Sequence, residues 1–150
     1  MTDTSHDIRT LNSLIATTID SIDGYDESAK AVDSGRFSEL FRARANERRQ
    51  VADQLRREVA RLGGNPEDDG TLLAAAHRGF LDLKAAVTTR DDNAVVAEVE
   101  RGEDHIKTKF EEALQDEKLS PETRSTIESA FQSVKSGHDQ MRDLKHGINA

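Results

Sequence analysis

The chain has 150 residues, of which 33% are charged and 35% are hydrophobic, and its net charge is -8. This length predicts one domain over residues 1–150 with a substantial core, and the negative charge argues against nucleic acid and membrane as partners. The absence of cysteine excludes disulfides and thiolate metal sites. No apolar run approaches the roughly 18 residues of a membrane span, and no apolar signal segment begins the chain, so we expect a cytoplasmic protein.

Apolar residues recur every three or four positions along nearly the whole chain, which predicts an all-α protein with five helices. We expect the first helix over about residues 7–32, the second over 36–62, a shorter third over 71–88, the fourth over 93–117, and the fifth from Pro121 through Leu144. Residues 1–6 and 147–150 are expected to be frayed.

Turn and cap residues separate these helices. Ser34-Gly35 forms the first turn, and Gly63-Gly64-Asn65-Pro66 is the usual glycine stop followed by proline. Asp92 is expected to cap the fourth helix, and Ser120-Pro121-Glu122 combines a cap, a proline at the first helical position and an acid in the first turn.

The short turns make the first and second helices, and the fourth and fifth, antiparallel hairpins. The second and fourth helices then run parallel, joined by the shorter third helix as a crossover. This connectivity is typical of ferritin-like four-helix bundles, and a simple five-helix bundle is the open alternative.

Two polar residues occupy positions where the helical pattern calls for an apolar side chain. Glu103 lies between Val99 and Ile106 in the spacing of the fourth helix, and His138 follows Val134 in the fifth. A carboxylate or an imidazole costs several kcal/mol to bury unless it is paired, hydrogen-bonded or bound to a metal. The two side chains are therefore the best candidates for a buried site.

Counting residues along the predicted helices brings further polar residues to the same depth. At 1.5 Å per residue they fall in one layer, roughly 12–20 Å below the end of the bundle that holds the Ser34-Gly35 turn. The predicted layer contains Asp20, Asp23, Glu47, His77, Glu100, Glu103 and His138. Glu47 is expected on the inner face of the second helix.

The layer has two main interpretations. Glu103 and His138 could form a buried ion pair, held further by Arg48 or Arg101. Alternatively, carboxylates and imidazoles from facing helices could bind a divalent ion such as iron, zinc or manganese, as in other helical bundles. The ligands would be Glu47, Glu103 and His138, with Asp20 or Asp23 and Glu100 nearby and His77 beside the ligands. A complete di-iron centre is disfavoured, because the paired Glu-x-x-His motifs are missing.

The chain lacks the sequence motifs of two other kinds of functional site. No phosphate-binding loop follows Gly63-Gly64, and no Gly-x-Ser-x-Gly elbow is present, so we assign no catalytic residue. The arginines between Arg42 and Arg61 alternate with acids, which predicts an ion-paired, solvated helix face.

Several short motifs together resemble a known family. In chain order they are Leu11-Asn12-x-Leu14-Ile15, Asp23-Gly24-Tyr25, Glu47-Arg48, Leu62-Gly63-Gly64 with Pro66, His77-Arg78-Gly79, Glu100-Arg101-Gly102-Glu103-Asp104, and His138-Asp139 with Arg142. Their order and spacing resemble the bacterial ferritin-like four-helix-bundle family classified as a domain of unknown function. The resemblance implies a ferritin-like fold and no established activity.

The sequence therefore leads to a main hypothesis and two rivals. The main hypothesis is a cytoplasmic ferritin-like bundle whose polar layer binds a divalent metal, with a binding or stress-related role rather than turnover. The first rival is a metal-free helical interaction or scaffold module, in which the polar layer sets helix register. The second is a di-metal oxidase. A homo-oligomer is compatible with each of them.

Overall fold

Four long α helices form the part of the protein that the structure, a computed structural model, describes. It covers residues 4–67 and 92–149, with side chains up to residue 144. The helices are α1 (Thr4–Ala31), α2 (Gly35–Arg61), α3 (Asp92–Leu114) and α4 (Pro121–Asn149). These ranges contain no strand, and none of their helices is long and apolar enough to cross a membrane. The predicted third helix, with His77, lies outside the described residues.

The predicted helix boundaries are confirmed to within a few residues where the structure describes them. Ser34 caps α2, since its hydroxyl accepts a hydrogen bond from the Phe37 backbone N–H at 3.3 Å. α2 ends at Arg61 with Leu62 as its C-cap, followed by Gly63 with a φ of 82°, a left-handed conformation that favours glycine. Ser120 caps α4 through the Thr123 N–H at 3.3 Å.

Asp92 was expected to cap its own helix, but it is the first residue of α3 and its side chain binds the turn between α1 and α2. Its carboxylate accepts hydrogen bonds from the backbone N–H groups of Asp33 and Ser34, at 3.0 and 3.1 Å. The start of α3 is thereby tied to the turn between α1 and α2. At the opposite end, α1 begins earlier than expected, at Thr4, and α3 ends earlier than expected, at Leu114. His6 lies 2.6 Å from Asp116, just after α3.

The helices occupy the corners of a square. α1 packs against α2 and α3, and α4 packs against the same two helices, so α2 and α3 face each other across the diagonal. Asp92 meets the α1–α2 turn at one end, whereas Thr123 of α4 meets Glu58 of α2 at the other. Neighbouring helices are therefore antiparallel, and α2 and α3 run parallel, as predicted.

Two hydrophobic clusters fill the interior. The upper cluster lies toward the end of the bundle with the α1–α2 turn, and the lower cluster lies toward the opposite end. The lower cluster is built around Leu11, Leu14, Ile15, Val51, Leu55, Val59, Ile106, Phe110, Ile127, Ala130 and Val134. The upper cluster contains Tyr25, Ala29, Val32, Phe41, Ala45, Val95, Val96, Val99 and Met141. Each fully buried aliphatic or aromatic side chain contributes about 1.5–3 kcal/mol. Along α2, α3 and α4 the boundary between the clusters falls at Arg48, Glu103 and His138, so polar side chains lie between two apolar blocks.

Candidate functional site: the buried polar layer

The centre of the layer is an ion pair between α2 and α3. Arg48 is 0% exposed and Glu103 1% exposed. The two Nη atoms of Arg48 donate to Glu103, one to Oε1 at 2.7 Å and the other to Oε2 at 2.6 Å. Such a two-pronged bond matches the planar guanidinium to the carboxylate and is among the stronger hydrogen-bonding arrangements in proteins.

Two further hydrogen bonds of Arg48 reach the other two helices. Nη1 also donates to the Ser21 hydroxyl of α1 at 3.0 Å, and Nη2 to the Val134 carbonyl of α4 at 3.4 Å. Burial by itself would lower the pKa of Arg48, but the charge and hydrogen bonds of Glu103 raise that pKa above its ordinary value. One side chain therefore joins all four described helices at a single depth.

Tyr25 covers the ion pair from the upper side. Its ring is 3% exposed, lies 6.0 Å from the Phe41 ring, and has the Arg48 guanidinium carbon 5.8 Å from its centroid. Burial, followed by the negative charge of Glu103, raises the pKa of the Tyr25 hydroxyl well above its ordinary value. The phenol is therefore held neutral beside the carboxylate.

His138 is buried, as the pattern predicted, but its partners differ from the expected one. Its Nε2 lies 2.6 Å from Oδ1 of Asp104, and its Nδ1 lies 3.3 Å from Oδ1 of Asp139. The His138 ring is 8% exposed, whereas Asp104 is 62% exposed. The hydrogen bond from His138, together with the charge of Arg142, lowers the pKa of Asp139. The imidazole thus links α3 to α4 at the edge of the layer, while Glu103 binds Arg48.

Gly137 is a member of the layer that the sequence analysis missed. A Cβ at this position would lie 2.5 Å from Nη2 of Arg48, and 3.1 and 3.2 Å from Cδ and Nη1 of Arg44. Because Gly137 has no side chain, the side chains of Arg44 and Arg48 have room to lie against α4. Its position beside His138 was the only available signal, since a helical glycine by itself does not show what lies against it.

The prediction that Glu47 lies on the inner face of α2 is wrong, while its role as a metal ligand stays a prediction. Its side chain is 48% exposed and pairs with Arg44, which is itself buried. Arg44 and Val51 are seven residues apart, which is about two helical turns. Residues 47 and 48 are each three or four residues from both of them, so the spacing alone allows either one on the inner face. The structure places Arg48 inward, and Glu47 faces solvent.

The other predicted members lie around the layer without joining Glu103. Asp23 is exposed, whereas Asp20 and Glu100 are partly buried. Partial burial, followed by the charges of Asp20 and Asp26, raises the pKa of Asp23. Within residues 4–67 and 92–144, no three histidine or acidic side chains converge closely enough to hold a metal ion. Metal binding by the predicted set, which includes His77, stays a prediction.

A second set of buried polar groups lies at the lower end of the bundle, and the sequence analysis missed it too. Asp7 is 1% exposed, and its Oδ1 accepts the Ser120 N–H at 3.2 Å. Glu58 is 7% exposed and accepts hydrogen bonds from Arg61 at 2.6 and 2.7 Å and from the Thr123 hydroxyl at 3.1 Å. Both carboxylates lie beside the N-terminus of α4, where a helix favours negative charge.

The arginine-rich face of α2 carries the predicted ion pairs. Arg49 binds Asp26 at 2.5 Å, and Arg56 lies 3.3 Å from Asp53. The predicted ion pairing holds for these residues, whereas Arg44 and Arg48 depart from the predicted solvated face because both are buried. Exposed pairs of this kind contribute little stability, with a median of about 0–1 kcal/mol.

With this geometry established, comparison with known proteins places the chain in a family. A family model described as a domain of unknown function (DUF2383) matches residues 6–116, which is more than half of the chain. The chain belongs to this family. The match includes Arg48 and Glu103 and ends before α4, so His138 lies beyond it. No curated protein matches the chain.

Proposed function

We propose that the protein is a metal-free helical interaction module, in which the buried polar layer sets the alignment of the helices. The observation that carries this proposal is the two-pronged bond between Arg48 and Glu103 at the centre of the bundle. It supplies the buried carboxylate with a cation from the chain itself. Both oxygens of Glu103 are engaged, so the acid needs no further partner to be buried.

The same bond weighs against a divalent ion on Glu103. A metal bound there would have to displace Nη1 and Nη2 of Arg48, which lie 2.7 and 2.6 Å from the carboxylate oxygens. If Arg48 stayed, charges of +2 and +1 separated by 4 Å would repel each other by about 8 kcal/mol at an effective dielectric constant of 20. The geometry thus supports an ion pair of Glu103 with Arg48 over a metal site, whereas His138, the predicted partner of Glu103, lies against Asp104 and Asp139.

The alignment role follows from the position of the pair between two apolar clusters. A shift of α2 against α3 by one helical turn, about 5.4 Å, would move each charge into an apolar block without its partner. Breaking a buried pair costs about 3–5 kcal/mol, whereas replacing both members by apolar residues is often neutral. The pair therefore contributes to a single register more than to overall stability.

We also propose that the bundle is ferritin-like. The parallel arrangement of α2 and α3 requires one connection that crosses the length of the bundle, and ferritin-like folds have one such crossover. This assignment concerns architecture only, because a fold by itself does not define an activity.

Metal content and stability test the proposal together. The purified protein is analysed for metal and titrated with zinc, manganese and ferrous ions, alongside Glu103→Gln and the matched surface variant Glu47→Gln. We expect no stoichiometric metal, a clear loss of stability in Glu103→Gln and a smaller loss in Glu47→Gln, because the Glu47 side chain is 48% exposed. Sedimentation velocity over a concentration series then tests whether the module associates with a second copy.

The opposite outcome would restore the rival hypotheses. Stoichiometric metal that is lost in Glu103→Gln and in His138→Ala, but kept in Glu47→Gln, would overturn the metal-free proposal. Oxygen consumption with ferrous iron would point instead to the di-metal oxidase.

A further inference from the structure

A shallow concavity lies between the upper halves of α1 and α2. It has a volume of about 310 Å³ and is lined by Asp26, Lys30, Arg42, Asn46 and Arg49. Three of these five side chains are cationic, in a chain whose net charge is -8. Like charges that converge in this way repel one another unless an anion lies between them.

Both side chains of the concavity that carry acceptors bind Arg49. The carboxylate of Asp26 accepts from Nη2 of Arg49 at 2.5 Å, and Oδ1 of Asn46 accepts from Nη1 of the same arginine at 2.8 Å. The Asn46 side chain also carries an NH₂ group, which is a donor, and Arg42 lies one turn before Asn46 on α2.

The donors in the concavity, by contrast, are largely available. Arg42 is exposed and has no hydrogen-bond or ion-pair partner among the described residues. Lys30 is 70% exposed and makes only a 3.5 Å contact with Glu27, which leaves most of its donor capacity free. Arg42, Lys30 and the Asn46 amide therefore present donors, and Asp26, which binds Arg49, is the one acid of the concavity.

We propose that this concavity binds the phosphate group of a small soluble molecule. A phosphate offers several acceptor oxygens, and a planar guanidinium flanked by an ammonium and an amide suits that geometry. The site is open to solvent, so the expected dissociation constant is on the order of 1 mM. The inference uses no residue of the buried layer and is independent of the proposed interaction role.

The test uses pyrophosphate as the probe, titrated into the purified protein at constant ionic strength and followed by NMR chemical shifts or calorimetry. We expect saturable binding that Arg42→Gln and Lys30→Gln each weaken about tenfold. Arg57→Gln is the matched control: it removes the same charge from an exposed position on α2 outside the concavity and should change affinity less than about twofold. Asp26→Asn removes the only acid of the concavity and should tighten binding.

Specific results would overturn the proposal. They are the absence of saturable binding, an equal loss of affinity in all three charge variants, which would indicate diffuse attraction, or weaker binding in Asp26→Asn. Vesicles containing phosphatidylserine provide a separate arm. Binding to these vesicles without binding of pyrophosphate would assign the concavity to a lipid surface rather than to a soluble ligand.

Discussion

Replacing Glu103 by alanine should be among the most destabilising single changes in the described bundle. The substitution removes both acceptors that lie 2.6 and 2.7 Å from Arg48 and leaves a fully buried guanidinium with only Ser21 and the Val134 carbonyl as partners. Two charge-assisted hydrogen bonds at about 1.5–3 kcal/mol each give a loss of roughly 3–6 kcal/mol, which overlaps the 3–5 kcal/mol typical of breaking a buried ion pair.

Urea unfolding followed by far-ultraviolet circular dichroism would measure this loss. With a denaturant dependence of about 2 kcal/mol/M, a loss of about 4 kcal/mol moves the midpoint down by about 2 M. Asp26→Ala is the matched control, because it breaks a pair with Arg49 of similar length whose members are 47% and 36% exposed. That variant should lose less than about 1 kcal/mol.

A double variant separates the effect of the ion pair on the register of α2 against α3 from its effect on the stability of the protein. Arg48→Met with Glu103→Leu removes both charges and should recover most of the stability lost in Glu103→Ala, while the freedom of α2 to shift against α3 increases. A loss in Glu103→Ala no larger than that of the surface control would refute the reasoning, because it would mean that the buried carboxylate is not paired as the structure has it.

Two further predictions concern glycine packing and acid stability. Gly137→Ala places a methyl group 2.5 Å from the Arg48 guanidinium and should lower the free energy of unfolding by about 1–3 kcal/mol. Gly24→Ala, with nothing within 4 Å of the new methyl group, should raise it by about 1 kcal/mol. Equal effects of the two variants on the melting temperature would contradict this packing of Gly137. The hydrogen bond from Arg61 lowers the pKa of Glu58 below its ordinary value of 4.5. Ionised Glu58 therefore contributes fully to folding stability above pH 4.5, and this contribution is lost as the pH falls through the lowered pKa. The stability difference between the wild type and Glu58→Gln should therefore shrink as the pH is lowered below about 4.5, and a constant difference would argue against the pairing.

The helices and their order could be predicted from the sequence because the information is local. Apolar spacing, Ser120 as a cap, and the glycine stop at Gly63 depend on neighbours a few residues away, and each prediction is confirmed within the described residues. Turn lengths then required α2 and α3 to be parallel. His138 and Glu103 were also correctly predicted to be buried polar residues, since each interrupts an apolar stripe.

The partners of these polar residues could not be predicted in the same way. Glu103 binds Arg48, and His138 binds Asp104 and Asp139, although both residues lie at similar depth. Depth along a helix follows from counting residues, but the direction of a side chain around the helix depends on how the helices rotate against each other. A difference of one residue, about 100° around the axis, separates exposed Glu47 from buried Arg48.

The sequence by itself determined an all-α chain with a polar interruption near the middle of its helices, because helix periodicity and caps are short-range properties. Only the tertiary structure decided that this interruption is an arginine–glutamate pair joined to all four described helices, with a glycine on α4 making room for it. The physical reason is that a buried charge is satisfied by whichever groups packing brings within about 3 Å, and those groups come from segments far apart in the chain.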